Sequence, residues 1–475
     1  MVDLKRPIAE LVADVASGHL TPTQLVQASL DRLVETTDFH AVLEVNPDAL
    51  SQAAEVTSRL KAGEDLPLAG IPFIAKDNFL TTSAHTTAAS NILKNFRAPY
   101  QGPAVSRLQA AGAVLVAKAN MDAFGHGAST ENSDFGPTRN AHDRERVPGG
   151  SSGGSTTSVA LGQACFAIGT DTGGSIRQPA SLSGVVGLKV TYGLVPRSGV
   201  VAMGSSTDTI GPITNSVADT ALVLEVLAGH DPSDSTSIER DAKSYAVTTG
   251  DLKGLKIGLI KEYIAEGLDG EVKAHLLEFV EQLKAAGAEI SEVSLPATTR
   301  ALAAYYILVP AEISSNLARY DGVRFGHSSA SATNLEETYR LSRDEGFGPE
   351  AKRRILIGTY VLSSGYYDAY YKRAQKVRTK LIEEFTEAFG RYDFLIGPAA
   401  PTAAFKIGEK SGDPLAMYLE DVMTVAVSLV GSPALVVPFA SVHGNLPVGL
   451  QIIGPQRSER ALLEAGLAIE AEVRQ

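Results

Sequence analysis

Apolar positions along this chain fall into two kinds of stretch: amphipathic runs with helical spacing, and short continuous apolar runs of strand length. The first clear helical run follows Thr21-Pro22, a favourable N-cap and first-turn pair, and lines up Leu25, Leu30 and Leu33. A second predicted helix spans about 48–61 and stops before Gly63. Residues 70–75, Gly-Ile-Pro-Phe-Ile-Ala, predict a buried strand. A helix near 103–111, a strand at 113–117, a helix at 155–161 and a strand ending at 166–168 follow. Farther on, 256–260 predicts a strand, about 270–285 a helix and 289–295 the returning strand, a βαβ alternation. Residues 301–390 read as mostly helical and rich in tyrosine. Strands are expected at 394–396, 434–437 and 448–453, the second confined between Pro433 and Pro438 because proline cannot donate to a ladder. A helix over about 459–473 completes the pattern. No fixed-period repeat and no Pro/Ser linker divides it. One mixed α/β domain over 1–475 is expected, with about 301–390 as a helical elaboration.

Composition narrows the function classes. With 475 residues, 44% hydrophobic and 20% charged, the chain is globular rather than disordered. Its 42 basic and 54 acidic residues leave a formal charge of −12, which argues against a basic nucleic-acid-binding surface of its own. An acidic polypeptide carried by a nucleic-acid-binding partner remains compatible. The single cysteine, Cys165, excludes an intrachain disulfide and a multi-cysteine zinc site; its apolar setting at 163–168 reads as a small buried hydrophobe. Asp3, Lys5, Arg6 and Glu10 interrupt any secretory apolar segment. The stretches 147–170 and 422–456 carry no Asp, Glu, Lys or Arg, and glycines and prolines break both. They read as buried core, not membrane spans, and a cytoplasmic location is expected.

Two Gly/Ser-rich runs stand out: Pro148-Gly-Gly-Ser-Ser-Gly-Gly-Ser155 and Gly169-Thr-Asp-Thr-Gly-Gly-Ser-Ile-Arg177. Such backbone turns sharply and leaves N–H groups free for an anion or a developing oxyanion. Either run alone equally suits a tight turn. A phosphate loop would need Gly-x-x-x-x-Gly-Lys-Ser/Thr, which is missing. A nucleophile elbow matches at Gly149-Gly-Ser-Ser-Gly153, making Ser151 the nucleophile with His230, His275, His327 or His443 as its base. A third reading uses Lys76, which follows the apolar strand at 70–75. A lysine desolvated at a strand end loses its proton near neutrality and can act as a base, although a solvated strand-end lysine is the commoner case.

Taken together, Gly70-Ile-Pro-Phe-Ile-Ala-Lys-Asp-Asn78, Pro148–Ser155 and Gly169–Arg177 resemble the amidase signature family. Spacings of 75 residues from Lys76 to Ser151 and 24 from Ser151 to Ser175 match as well. The resemblance implies an α/β fold, a mixed central sheet covered by helices on both faces. It also implies a Ser-Ser-Lys triad. Ser175 would attack the amide carbonyl and form an acyl-ester, Ser151, in a cis peptide bond, would relay the proton, and Lys76 would accept it. The N–H groups of Thr172, Gly173, Gly174 and Ser175 would form the oxyanion hole, with Ser152, Ser155, Asp171 and Arg177 in support.

Segments outside the signature narrow the resemblance to the branch that hydrolyses glutamine within tRNA-dependent amidotransferases. They are Ala228–Ser237, Ser314–Gly322, Gly358–Arg378 and Gly412–Tyr418. By that resemblance Arg354 would hold the substrate carboxylate, Asp421 the ammonium, and Tyr306 would line the pocket; Arg353, next to Arg354, is the competing register. Glutamine would be the amide donor. Partner subunits B and C would complete a heterotrimer, with ATP and Mg²⁺ in a partner and no cofactor or metal in this chain. Misacylated tRNA(Gln), or tRNA(Asn), would be bound mainly by the partner. The alternative is a stand-alone amidase of the same family. Two departures from the branch pattern appear. Met121-Asp-Ala-Phe-Gly-His-Gly127 stands where Met-Asp-Glu-Phe-Ala-Met-Gly is usual, so His126 bears on the pocket. Lys189-Val-Thr191 replaces a common Lys-Pro-Thr.

Overall fold

The computed structural model describes residues 2–474. Its centre is one mixed sheet of eleven strands. In chain order these are β1 (Val42–Val45), β2 (Pro72–Lys76), β3 (Val114–Ala119), β4 (Phe166–Asp171), β5 (Val186–Lys189), β6 (Thr209–Thr214), β7 (Lys256–Ile260), β8 (Glu289–Val293), β9 (Phe394–Pro398), β10 (Ala434–Val442) and β11 (Leu446–Ile453). Their spatial order is β1-β3-β2-β4-β6-β5-β10-β11-β9-β7-β8. The pairs β2/β3, β2/β4, β7/β8 and β7/β9 are parallel and the remaining pairs antiparallel. Helices flank the sheet, as the expected α/β class requires. The helix at Pro22–Glu35 starts as its sequence dictates: Thr21 and Gln24 form a reciprocal capping box.

The topology places the site. β2 lies between its parallel neighbours β3 and β4, and β4 is reached only after the chain crosses past β2. The carboxyl ends of β2 and β4 thus open side by side at a switch in strand order, where α/β sheets leave a crevice. β2, β3 and β4 are buried along their whole length, as parallel strands covered on both faces must be. A second apolar cluster forms over the region 301–389. It holds the helices Ala301–Asn316, Pro349–Leu362 and Lys372–Phe389 together with Val425–Val430, beside the carboxyl ends of these strands.

Several boundaries differ from the sequence pattern. The strand expected at 434–437 runs on as β10 to Val442, passing through Pro438 at a register shift between Pro438 and Ala440. A bulge removes the need for the N–H that proline lacks. β6, Thr-Ile-Gly-Pro-Ile-Thr, lies outside the pattern because glycine and proline are poor strand formers. It pairs with β4 throughout and with β5 at Ile213 and Thr214, and the β5 ladder stops before Pro212, which has no N–H to give it. β1, β5 and the helices Ile8–Ala16, Arg177–Ser183 and Val217–Leu227 are likewise additional to the pattern. Cys165 is buried and unpaired. Among the described residues no helix is long and apolar enough to cross a membrane.

Candidate active site

Lys76 is the last residue of β2 and is fully buried. Its Nζ donates to Ser151 Oγ at 2.7 Å, Ser152 Oγ at 2.9 Å and Thr170 Oγ1 at 3.0 Å. Burial lowers its pKa from 10.5 to about 7, against the opposing charges of Asp122, Asp171 and Asp208. A large fraction of this lysine is therefore neutral at physiological pH and can take up a proton.

Ser151 reaches Lys76 from a tightly built turn. The Gly150–Ser151 peptide is cis. Gly150 has room for no side chain, since a Cβ there would overlap the Asp122 carboxylate and crowd the Ser129 amide. Its N–H donates to Gln178 Oε1 at 3.0 Å. Asp122 accepts from the Thr130 and Asn132 amides at 2.9 and 3.1 Å, and its own N–H donates to Ser151 O at 3.3 Å. Burial raises the Asp122 pKa to about 6.

Ser175 lies on the arch that leaves β4. Its carbonyl accepts from Ser152 N at 3.1 Å, which fixes it beside the Ser151 turn. Ser175 keeps 7% of its surface exposed, while Lys76 and Ser151 are at 0% and 1%, so of the three it is the one open to an entering molecule. Its Oγ makes no hydrogen bond among the described residues, so the hydrogen-bonded chain from Lys76 to Ser151 does not extend to it.

The arch 172–175 is braced through groups other than its amides. Thr172 Oγ1 donates to Asp208 Oδ1 at 2.7 Å, the Gly173 carbonyl accepts from Thr424 Oγ1 at 2.6 Å, and the Gly174 carbonyl accepts from Gln178 N at 2.8 Å. Beneath it, Arg177 and Asp171 form a fully buried ion pair at 2.9 Å, and Arg177 also donates to Gln451, Ser428 and the Thr424 carbonyl. Gly174 has φ 146° and lies where a Cβ would collide with Thr424. Among the described residues none of the N–H groups of residues 172–175 donates within the chain. Four adjacent unspent amides on a rigid arch next to a serine are suited to a developing oxyanion. Ser152 donates onward to Thr170 O at 3.2 Å, and Ser155 Oγ reaches Ile168 O at 3.5 Å, so both tie the turn to β4.

The three expected substrate-binding residues also converge. Tyr306 Oη donates to Asp421 Oδ2 at 3.2 Å, and its ring stacks on Tyr418 with centroids 3.9 Å apart. The Arg354 guanidinium lies 5.2 Å from the Tyr306 ring and 5.6 Å from the Tyr418 ring. Its Nε donates to Glu350 Oε1 at 2.8 Å, which leaves the terminal amino groups without a partner among the described residues. Burial pushes the Asp421 pKa up to about 8 in the face of Arg354 and Tyr306, which pull it down. Arg354 is 2% exposed and faces this cluster, whereas the Arg353 side chain is 43% exposed and turns outward onto Glu350. The inward arginine of the two is Arg354. The helix that carries Tyr306 also carries Tyr305, whose ring occupies the space a Cβ on Gly173 would need, so the arch and the Tyr306 cluster share one support.

The elbow histidines are elsewhere. His230 bonds Ser237 at 2.9 Å, His327 bonds Glu345 at 2.7 Å, His443 bonds Asp269 at 3.0 Å, and His275 lies 3.9 Å from Glu278; all four are at the surface and none is bonded to Ser151. Sequence reasoning missed Asp122, Thr170, Glu350, Tyr418 and Thr424. Glu350 left a local signal, as an acidic residue four positions before Arg354 on one helix, while Asp122 and Tyr418 stood in the segments 121–127 and 412–418 without an assigned role. Lys189 is buried and donates to Val190 O and Ser432 O, tying β5 to the loop before β10. His126 is buried beside the Ser151 turn, and neither ring nitrogen has a partner among the described residues.

Comparison with known proteins identifies the family. The amidase family model matches residues 24–463. The A-type subunit of glutamyl-tRNA(Gln) amidotransferase from Geobacter metallireducens is 51% identical over 98% of this chain and 96% of its own length. That of Koribacter versatilis is also 51% identical, over 96% of each. Among solved structures, the A-type subunit of the Thermotoga maritima glutamyl-tRNA(Gln) amidotransferase is 38% identical with a TM-score of 0.78, covering 94% of this chain and 91% of that one. The peptide amidase of Stenotrophomonas maltophilia is 32% identical with a TM-score of 0.84, covering 99% and 97%. On the family match over residues 24–463 and on these identities, the chain belongs to the amidase signature family.

Proposed function

We propose that this chain is the glutamine-hydrolysing component of a tRNA-dependent amidotransferase. The observation that carries the reading is the pairing of two sites. A desolvated lysine and two serines lie beside four unspent amides, and next to them are an inward arginine and a buried aspartate. The first set suits acyl transfer, and the second suits the carboxylate and ammonium of a free amino acid. The names of the relatives at 51% identity point the same way.

In this reading Ser175 Oγ attacks the side-chain carbonyl of glutamine. Its proton passes to Ser151, and the Ser151 proton passes to neutral Lys76. The amides of Thr172, Gly173, Gly174 and Ser175 receive the oxyanion. Lys76, now an ammonium, returns its proton through Ser151 to the leaving nitrogen, and ammonia departs as the C–N bond breaks. Water then adds to the acyl-ester by the same relay in reverse, and glutamate leaves. Arg354 holds the carboxylate, Asp421 the ammonium, and Tyr306 orients Asp421.

Ammonia passes to a partner protein, which with ATP and Mg²⁺ amidates glutamate carried on tRNA(Gln), or aspartate on tRNA(Asn). The assembly is a cytoplasmic heterotrimer with subunits B and C, and the tRNA is held mainly by the partner, in keeping with the acidic charge of this chain. No ATP or metal is assigned to this chain, which works as a single catalytic domain with the helical region 301–390 completing the substrate end.

A second reading, a stand-alone amidase, is favoured by one observation, the higher TM-score of the peptide amidase. The two part on one assay: glutamine hydrolysis by the chain alone, and with subunits B and C plus misacylated tRNA. Strong stimulation by the partners is expected. Robust hydrolysis of simple amides by the lone chain, indifferent to partners, would establish the second reading instead.

A further inference from the structure

His126 lies on a loop wedged between the two halves of the site. One residue earlier, a Cβ on Gly125 would lie 3.5 Å from Ser151 Oγ. Two residues earlier, the Phe124 ring packs 5.5 Å from Phe347, just ahead of the helix that carries Arg354. The loop is thus held by the Ser151 turn on one side and by the start of the Arg354 helix on the other. Its backbone is tied down: the His126 amide donates to Ala123 O at 3.0 Å, and its carbonyl accepts from Asn132 at 2.8 Å.

The imidazole itself is not tied down. Its residue is 1% exposed, and neither Nδ1 nor Nε2 has a hydrogen-bond partner among the described residues. Burial, reinforced by the Arg354 charge, keeps the ring pKa well below the ordinary histidine value. A neutral imidazole offers one N–H donor and one lone pair, and buried polar groups of this kind are nearly always satisfied. Core packing alone gives no reason for a histidine here, since an apolar side chain of the same size would meet Phe124 equally well.

We infer that His126 is a specificity residue whose imidazole N–H donates a hydrogen bond to the polar head of the amino-acid substrate at the Arg354 end of the site. The inference rests on the glutamine reading above and extends it. A carboxylate has several acceptor positions, so an arginine and a neutral imidazole can share it. The added donor would favour free amino-acid amides over amides that lack a carboxylate.

The test uses the full chain assembled with its partner proteins, in a Ser175→Ala background that cannot turn over substrate. Glutamine affinity is measured by calorimetry for Ser175→Ala alone and with His126→Met or His126→Gln added, with melting temperatures recorded for each. The inference predicts about a tenfold rise in Kd for His126→Met, the size of one lost charge-assisted hydrogen bond, and recovery to within about threefold for His126→Gln, which restores a donor. In the active enzyme the loss appears in KM and not in kcat. Unchanged affinity in His126→Met overturns the inference. Equal weakening by Met and Gln, with a lowered melting temperature, also overturns it and makes the ring a packing residue. Failure of the Ser175→Ala protein itself to bind glutamine, with a native melting temperature, defeats the underlying reading and the inference with it.

Discussion

The Thr424 hydroxyl donates to the Gly173 carbonyl at 2.6 Å, and the Thr424 amide donates to the Asp421 carbonyl at 3.0 Å. One threonine therefore joins the arch that presents the unspent amides to the carboxylate at the far end of the site. Thr424 is fully buried, and Arg177 holds its carbonyl from below at 3.1 Å. Thr424→Val keeps the shape and removes the donor. It should lower kcat about tenfold, because the arch loses the bond that aims its N–H groups, while KM changes less. Steady-state kinetics on glutamine check this; a change confined to KM would contradict it.

Lys76 should set the lower limb of the pH profile. With its pKa near 7, it is the neutral base above that value and an inactive ammonium below it. kcat should therefore rise with pH through about 7 and level off. A flat profile between pH 6 and 8 would remove Lys76 from the relay.

The same shift makes a stability prediction. The folded-state pKa lies below the ordinary 10.5, so burying Lys76 carries no protonation cost above that pH, and the full cost applies below about 7. Lys76→Met should abolish hydrolysis and raise stability. The gain should be about 3 kcal/mol larger at pH 6 than at pH 9, as denaturant unfolding would show.

Much of this site is legible from residues in order along the chain, and the rest is not. Lys76, Ser151 and Ser175 each stand in a short glycine-rich or strand-end motif, and the resemblance those motifs carry together implies their roles. Thr424 cannot be read this way, because its partner on the arch is 251 residues away and it carries no local pattern; Asp122 stands in the segment 121–127, but its contacts to Thr130 and Asn132 appear only when the loop folds back. Arg353 and Arg354 are adjacent on one helix, and only burial separates them. In the fold, the buried parallel strands β2 to β4 are visible as apolar runs. β6 is hidden because its glycine and proline contradict strand propensity; the β5 ladder stops short of Pro212.

Arginine register gives a clean contrast. Arg354→Lys should raise KM for glutamine about tenfold or more, since a point charge replaces a fork beside two tyrosine rings. Arg353→Lys, at the exposed position, should leave KM within about twofold. The reverse pattern would move the carboxylate contact to Arg353.

Asp421 should govern substrate binding through its own titration. Its pKa near 8 leaves the acid largely neutral at pH 6 and increasingly ionised as pH rises. An ammonium binds the ionised form, so KM for glutamine should fall from pH 6 to pH 8. Asp421→Asn should raise KM by about 10- to 100-fold and abolish that slope. A slope that survives in Asp421→Asn would assign it to another group.

The central claim, a serine nucleophile at 175 served by Lys76 through Ser151, is tested most directly by trapping the intermediate. The chain, with its partner proteins, is mixed with glutamine, quenched in acid within the first turnovers and examined by intact and peptide mass spectrometry. A glutamyl adduct on Ser175, absent from Ser175→Ala, is the predicted result. Turnover of glutamine with the adduct on Ser151, or an adduct that persists in Ser175→Ala, would contradict it.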